Sequence, residues 1–152
     1  MNVELLLQTA LKYEGYPGIC SSKNPGRGDD PTGFDCSGFI VYVLREIGFP
    51  LDKSIRSASH FFDKVGILIH EEYAVHGDLI FFSRRGLHPT HMGILTGPHH
   101  YISSPGTTDS KVCVREIPRG PIKPREGSIY SHNPIGFKRL AVPRGRWQQI
   151  LC

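Results

Sequence analysis

The segment Asp35-Cys36-Ser37-Gly38 places a cysteine among residues that typically begin a helix. Asp35 is a good N-cap, which would put Cys36 and Ser37 in the first turn. Free backbone amides and the positive end of the helix dipole favour a thiolate there, and they could also stabilise an oxyanion. Cys36 is therefore a candidate nucleophile. A small buried cysteine without chemistry fits the same local pattern.

A thiol nucleophile needs a base, and His91 is the best placed of the chain's eight histidines. It begins a strand-like run after the loop His88-Pro89-Thr90, so its imidazole could face a cleft while the strand anchors it. There it would take the proton of Cys36 and later protonate a leaving amine. A structural histidine is the alternative. No HxxxH, HExxH or HxH spacing occurs, which argues against a metal site.

The elements that hold these residues change type along the chain. Apolar residues recur at helical spacing over residues 3–13 and from Cys36 to about 47. Residues 56–65 predict a third, short helix. Short apolar runs separated by turn residues then predict strands at 78–82, 91–95, 100–103, 112–117 and 137–141. The turn residues Gly97-Pro98 predict antiparallel pairing of the second and third runs. Helices followed by strands indicate an α+β fold with an antiparallel sheet.

Length and composition predict one globular domain over residues 1–152, with turn-rich loops at 20–33 and 118–134. The formal net charge is +4, and much of the positive charge falls late in the chain. A solvated basic face or attraction to an acidic polymer would explain it. No nucleic-acid-binding motif accompanies the charge, so no nucleic-acid partner is expected. The late cations are Lys111, Arg115, Arg119, Lys123, Arg125, Lys138, Arg139, Arg144 and Arg146.

The remaining cysteines and the N-terminus bear on the cellular compartment. Cys20, Cys113 and Cys152 form no CxxC pair and no dense framework, so their disulfide status stays open. Residues 1–15 lack a basic n-region and carry Glu4 within the apolar stretch, so they predict an amphipathic helix and not a signal peptide. No run approaches the roughly 20 apolar residues of a membrane span. We expect a cytoplasmic protein, or one exported without a cleaved leader or with its leader removed.

Three segments, together with the predicted last strand, resemble the NlpC/P60 family of cell-wall cysteine peptidases. The segment Gly33–Phe39 resembles the nucleophile segment of that family, and Gly77–Phe82 resembles the strand before its histidine. His91-Met92-Gly93-Ile94 resembles the histidine strand itself, and residues 136–140 resemble the last strand. The order and spacing of these pieces extend the similarity from about Leu5 to Ala141.

This resemblance implies a papain-like NlpC/P60 fold, with N-terminal helices packed on a central antiparallel β-sheet. It also implies hydrolysis of peptidoglycan stem peptides, at the bond from the side-chain carboxyl of D-glutamate to the diamino acid. By position, Cys36 is the nucleophile and His91 the base. The family's third polar residue, usually a histidine, falls on Ser103, with His100 as a rival. A monomer that acts on peptidoglycan fragments or muropeptides, without cofactor or metal, is expected.

Two departures from the family pattern surround the expected cleft. The family usually carries a tyrosine followed by Trp-Gly-Gly before the nucleophile, whereas this chain has no tryptophan there and Tyr16 is the nearest stand-in. Tyr16, Asp35 and Ser37 are therefore the predicted substrate and oxyanion residues. Ser103 is short and uncharged, so it would orient His91 weakly or through a water. These departures leave open a peptidoglycan amidase, a papain-like hydrolase or acyltransferase with a non-wall substrate, and a catalytically weakened binding module.

Overall fold

The computed structural model describes residues 1–19, 33–84, 86, 88–105, 110–119 and 133–141. Each of the three α-helices in these residues begins after a polar side chain that accepts a hydrogen bond from the backbone N–H three residues later. These caps are Asn2, Asp35 and Ser57. The helices are α1 (Val3–Lys12), α2 (Cys36–Glu46) and α3 (Ala58–Lys64). All three confirm helices predicted from the sequence.

The strands form one six-stranded antiparallel sheet. The pairing of β3 with β4 is the one predicted from Gly97-Pro98. The α+β class, with N-terminal helices on an antiparallel sheet, is thereby confirmed. The strands are β1 (Ile67–Ile69), β2 (Leu79–Phe82), β3 (His91–Leu95), β4 (His100–Ser103), β5 (Cys113–Glu116) and β6 (Gly136–Arg139), in the spatial order β1-β6-β2-β3-β4-β5.

Strand β1 and a 3₁₀ turn at Glu71–Tyr73 were not predicted. The strand is only three residues long and largely exposed, so it lacks the alternation that marks a half-buried strand. Its pairing depends on Gly66, which has φ +72° and lies against the backbone carbonyl of Arg139. A side chain at position 66 would be strained and would collide with that carbonyl.

The sheet is covered on both faces. One face packs on the helices through Leu79, Phe81, Met92, Ile94 and Ile102. The opposite face carries a second apolar cluster formed by Ile80, Phe82, Leu95, Tyr101, Ile117 and Phe137. Side chains alternate along a strand, so His91, at the start of β3, falls on this second face with Leu95. Cys36 belongs to the helix layer, which packs on the first face of the sheet, whereas His91 lies on the second face.

Several cations expected on a basic surface have specific partners. Lys138 is buried, and its amine donates to the backbone carbonyls of Phe61 and Phe62 near the end of α3. Arg139 forms a two-pronged ion pair with the buried Asp78. The solvated-face prediction is therefore wrong for Lys138.

Some predictions fall outside the described residues. They concern residues 20–32 and 120–132 of the two predicted loops, and the cysteines Cys20 and Cys152. They also concern the cations Lys123, Arg125, Arg144 and Arg146. Within the part of the chain that the structure describes, no helix has the length and apolar character needed to cross a membrane.

Candidate active site

Cys36 is the first residue of α2, and Asp35 caps the helix by accepting a hydrogen bond from the Gly38 N–H at 2.5 Å. The Sγ of Cys36 lies 3.9 Å from the backbone carbonyl oxygen of Thr90. Thr90 directly precedes His91, the first residue of β3. The start of α2 therefore meets the start of β3. This contact brings the predicted nucleophile and the predicted base to one place.

The surroundings of Cys36 act on its ionisation in opposite directions. Burial of the sulfur, and then the negative charge of Asp35, raise the pKa of Cys36 from its ordinary value near 9 to about 12. The backbone amides of Met92, Ser37 and Cys36 itself lower that pKa, but by less. The pKa lowering expected from the helix start is thus outweighed. In this structure the thiol is neutral, and Cys36 as a whole keeps partial exposure through which a substrate can reach it.

The side chain of Ser37 is turned away from the thiol. Its hydroxyl donates a 2.7 Å hydrogen bond to the backbone carbonyl of Arg56, in the connection between α2 and α3. Ser37 is buried, so this bond fixes the first turn of α2 against the following segment. Of the functional groups of Ser37, only the backbone amide is directed to Cys36.

His91 is enclosed by the second face of the sheet. It is 3% exposed, its ring lies 5.7 Å from that of Phe82, and its Nε2 has no access to solvent. Burial, followed by the positive charges of Arg115 and Arg84, lowers the pKa of His91 from its ordinary 6.5 to about 3. The imidazole is therefore neutral and can accept a proton, while its surroundings oppose the imidazolium.

The register of β4 separates the two candidates for the third position. Leu95 is opposite Tyr101, so Tyr101 and Ser103 share the face of His91, whereas His100 points to the other face and is exposed. Ser103 is completely buried, and its hydroxyl has no hydrogen-bond partner among the described residues. Ser103 is thus on the required face without a direct hydrogen bond to His91 in this structure.

Tyr16 lies beside the segment that leads to the nucleophile. Its ring packs on Phe34 at 5.8 Å and on Tyr13 at 5.1 Å, and it is 37% exposed. The backbone of Pro17 accepts a hydrogen bond from the Phe34 N–H. Tyr16 is therefore close in the fold to Phe34, two residues before Cys36, as its predicted role requires.

Several residues of the site gave no recognisable signal in the sequence. Ser104, just after β4, donates a 2.6 Å hydrogen bond to the Phe34 carbonyl and so holds the nucleophile segment to the sheet. Thr90 contacts the thiol through its carbonyl oxygen. Arg84 and Arg115 act on His91 through their charge. The strand register, which the sequence alone does not specify, brings Ser104 and Arg115 to the site.

The described residues contain no group of three or more His, Cys, Asp or Glu side chains able to hold a metal ion. Among these residues Cys36 and Cys113 are free cysteines. Cys113 is on β5 directly opposite Ser103, on the face of the sheet that carries His91.

The family profile described as "NlpC/P60 family" matches residues 26–129, which is more than half of the chain and includes Cys36, His91 and Ser103. This chain belongs to the NlpC/P60 family. The family resemblance suggested by the three sequence motifs is thus confirmed.

Individual relatives agree with that membership. The chain is 34% identical over 119 residues to the bifunctional muramidase/DL-endopeptidase CwlT of Bacillus subtilis, a match covering 77% of this chain and 32% of the relative. It is 26% identical over 142 residues to the gamma-DL-glutamyl hydrolase of the same organism, covering 91% of this chain and 30% of the relative. It therefore spans about a third of the length of these curated relatives.

A solved structure gives the same fold. The NlpC/p60 domain of the peptidoglycan hydrolase SagA superposes with a TM-score of 0.64 at 26% identity. The match covers 92% of this chain and 100% of that domain. The helices and the antiparallel sheet described above are therefore those of an NlpC/P60 domain.

Proposed function

We propose that this domain is a cysteine peptidase that hydrolyses peptidoglycan stem peptides at the bond between γ-linked D-glutamate and the diamino acid. Family membership and relatives named DL-endopeptidase, gamma-DL-glutamyl hydrolase and peptidoglycan hydrolase support this class of substrate. The observation that carries the proposal is the 3.9 Å contact between Cys36 Sγ and the carbonyl oxygen of Thr90, which sets the thiol beside the histidine strand.

In the proposed first step, the S–H bond of Cys36 breaks as the proton passes to His91, and the sulfur attacks the scissile carbonyl carbon. His91 Nε2 is enclosed, so Nδ1 is the nitrogen that takes this proton. Protonated His91 then gives the proton to the departing amine, and water hydrolyses the acyl-enzyme. Both groups start neutral because burial raises the pKa of Cys36 and lowers that of His91.

The oxyanion formed in this step needs donors, and the amides that already point to the sulfur of Cys36 are those of Cys36, Ser37 and Met92. We assign the Cys36 amide and the hydroxyl of Tyr16 to the oxyanion site, with Ser37 holding the turn through Arg56. Asp35 contributes the helix cap. Ser103 would orient His91 from the enclosed side through a bridging water, since its hydroxyl makes no direct hydrogen bond in the described structure.

One observation favours the alternative of a catalytically weakened binding module. The pKa of Cys36 is raised, whereas that of a catalytic thiol is usually lowered. A binding module would retain muropeptides without cleaving them. An amidase or an acyltransferase on the same fold would release different products, so product analysis separates all of these functions.

The test is digestion of intact sacculi followed by mass spectrometry of the released fragments. The proposal predicts new free amines on the diamino acid and new carboxyl groups on the side chain of D-glutamate. A newly free lactyl carboxyl on muramic acid, with a new free amine on the first residue of the stem peptide, would identify an amidase instead. Retention of sacculi without any new product would identify the binding module.

The role of Ser103 has its own test. Ser103→Ala should lower kcat more than it raises KM, because the residue orients the base without contacting substrate. Ser103→His, which installs the residue type usual for the family, should raise kcat above that of the alanine variant. Equal activity of the unmodified protein and both Ser103 variants would show that Ser103 does not position His91.

A further inference from the structure

The first turn of α2 is held by a residue outside that helix. Ser37, which directly follows Cys36, is buried, and its hydroxyl donates a 2.7 Å hydrogen bond to the backbone carbonyl of Arg56. Arg56 is in the connection between α2 and α3, 19 positions further along the chain. The position of Ser37 beside the nucleophile therefore depends on what fixes the backbone of Arg56.

His60, in the first turn of α3, contacts the backbone of Arg56 directly. Its Nδ1 accepts a 3.2 Å hydrogen bond from the Arg56 N–H. Because Nδ1 is an acceptor here, it carries no proton, and Nε2 is the ring nitrogen that bears hydrogen. Two hydrogen bonds thus form a relay that runs from the His60 ring, through the Arg56 backbone, to the Ser37 hydroxyl.

The middle of this relay is anchored on both sides. Ile55 and Ala58, which flank Arg56 and Ser57, are buried in the core. The Ser57 side chain accepts a 3.1 Å hydrogen bond from the His60 N–H and caps α3. In an ordinary capping box, a Glu or Gln at the position of His60 would bond the N–H of the cap residue itself. Here the bond reaches one residue further back, to the residue that holds the first turn of α2.

The relay ends at the groups that act on the nucleophile. The backbone amides of Ser37 and Cys36 are directed to the Cys36 sulfur, where they favour the thiolate against the larger effect of burial. The Cys36 amide is also the backbone donor assigned above to the oxyanion site. A shift of the first turn of α2 would turn these amides away from the reacting atoms, and small displacements of catalytic groups lower rates strongly.

We propose that His60 is a positioning residue, which holds the first turn of α2 in its productive arrangement through the backbone of Arg56 and the hydroxyl of Ser37. The catalytic consequence of this relay rests on the proposed function above. His60 contributes the acceptor that Nδ1 supplies, so another side chain with an acceptor at the same place should replace it. A histidine that only caps α3 would add to stability without changing the rate of the folded protein.

The first test measures hydrolysis of a defined γ-D-glutamyl stem peptide at a temperature where each protein is folded. His60→Phe keeps a flat ring but removes the acceptor, so kcat should fall by about tenfold with little change in KM. His60→Asn offers its side-chain oxygen to the Arg56 N–H and should recover most of that loss. His70→Phe is the matched control and should leave kcat unchanged. His70 Nδ1 also accepts a backbone N–H at 3.2 Å, that of Glu72, but at an exposed 3₁₀ turn.

The relay also predicts that His60 and Ser37 are coupled. Ser37→Ala removes the last hydrogen bond of the relay and should itself lower kcat. Adding His60→Phe to Ser37→Ala should lower kcat little further, because the bond through which His60 acts is already absent. Losses that multiply in the double variant, a loss in His60→Asn as large as that in His60→Phe, or an unchanged kcat in His60→Phe would each overturn the inference.

The second test does not depend on turnover. Backbone amide NMR shifts report on the surroundings of Cys36 and Ser37 whether or not a peptide is hydrolysed. His60→Phe should shift both amides and accelerate hydrogen exchange of the Arg56 amide, whereas His60→Asn should leave them close to those of the unmodified protein. If the unmodified protein hydrolyses no stem peptide, the proposed function fails, and these amides still decide whether the relay exists. Unchanged Cys36 and Ser37 amides in His60→Phe would overturn it.

Discussion

The Sγ of Cys36 lies 3.9 Å from the backbone carbonyl oxygen of Thr90, so the first turn of α2 is packed against the residue that directly precedes β3. This contact joins the helix layer to the strand whose first side chain, His91, is on the opposite face of the sheet. It also surrounds the sulfur with protein, which raises the pKa of Cys36. The same burial that places Cys36 beside the histidine strand therefore also keeps its thiol protonated.

Because neutral His91 is buried, the free energy of unfolding should depend on pH. Its folded pKa of about 3 lies below its unfolded value near 6.5, so the unfolded chain binds the extra proton first as the pH falls through this window. The free energy of unfolding should drop by about 3 kcal/mol between pH 6.5 and pH 4 from this group alone. Urea denaturation at these two pH values measures the drop, and in His91→Gln the part due to this histidine should disappear. His100→Gln, at an exposed position, is the control, and a pH dependence unaltered in His91→Gln would refute the assignment.

Asp35 should restrain the reactivity of Cys36 through its charge. Asparagine also caps helices, so Asp35→Asn removes the negative charge while it keeps the cap. The pKa of Cys36 should fall, and alkylation of the Cys36 peptide at pH 8 should accelerate by roughly threefold to tenfold. Asp35→Ala loses the cap as well and should destabilise the domain by about 1 kcal/mol. Unchanged alkylation in the asparagine variant would show that the carboxylate does not act on the thiol.

The α2, β3 and β4 segments were predictable because local patterns specify them. Asp35 before an apolar helical run marks the start of α2, and His91–Leu95 and His100–Ser103 are bounded by turn residues. The same local reasoning predicted a lowered pKa for Cys36, since a helix start favours a thiolate. Burial against Thr90 depends on residues 54 positions away, and it outweighs the helix effect.

The partners of His91 could not be read from the chain for a similar reason. Arg84 follows β2 and Arg115 is on β5, and only the register places Arg115 on the face of His91. Their sequence context is that of ordinary surface cations. The prediction for Lys138 was wrong in another way. The sequence suggested a solvated surface lysine, but Lys138 is buried near the end of α3 and bonds the Phe62 carbonyl. Sequence patterns predicted the candidate nucleophile and base but not the neighbouring arginines that lower the pKa of His91.

Lys138 should contribute to stability as the cap of α3. Its amine donates to the Phe62 carbonyl at 2.5 Å and to the Phe61 carbonyl at 3.5 Å. Lys138→Met removes this donor from the Phe62 carbonyl, whereas the Phe61 carbonyl still accepts from the Val65 N–H at 3.0 Å. We expect a loss of about 1–3 kcal/mol in the free energy of unfolding, measured by urea denaturation. Lys53→Met removes an exposed charge of the same kind and should change stability by less than about 0.5 kcal/mol. Similar values for the two variants would show that the buried amine is not a cap.

Gly93 should be intolerant of a side chain. A Cβ there would lie 2.7 Å from both the Ile102 carbonyl and the Tyr101 ring. Gly93→Ala should cost about 1–3 kcal/mol in the free energy of unfolding. It should also lower activity, because it displaces the Tyr101 ring that packs on Phe82, whose ring in turn contacts His91. Gly97→Ala is the control, because nothing lies within 4 Å of a Cβ at that position, and it should leave stability and activity nearly unchanged. Thermal unfolding and a peptide hydrolysis assay on the two variants measure these effects. A fully active and stable Gly93→Ala protein would contradict the described packing.

The central claim is that Cys36 is the nucleophile, and the most direct measurement is kcat/KM for hydrolysis of a defined γ-D-glutamyl stem peptide by two cysteine variants. Cys36→Ala should lose at least about a thousandfold while its thermal unfolding shows an intact fold. Cys113→Ala, which removes the neighbouring free thiol on β5, should retain nearly full activity. Hydrolysis by folded Cys36→Ala at a rate close to that of Cys113→Ala would contradict the account.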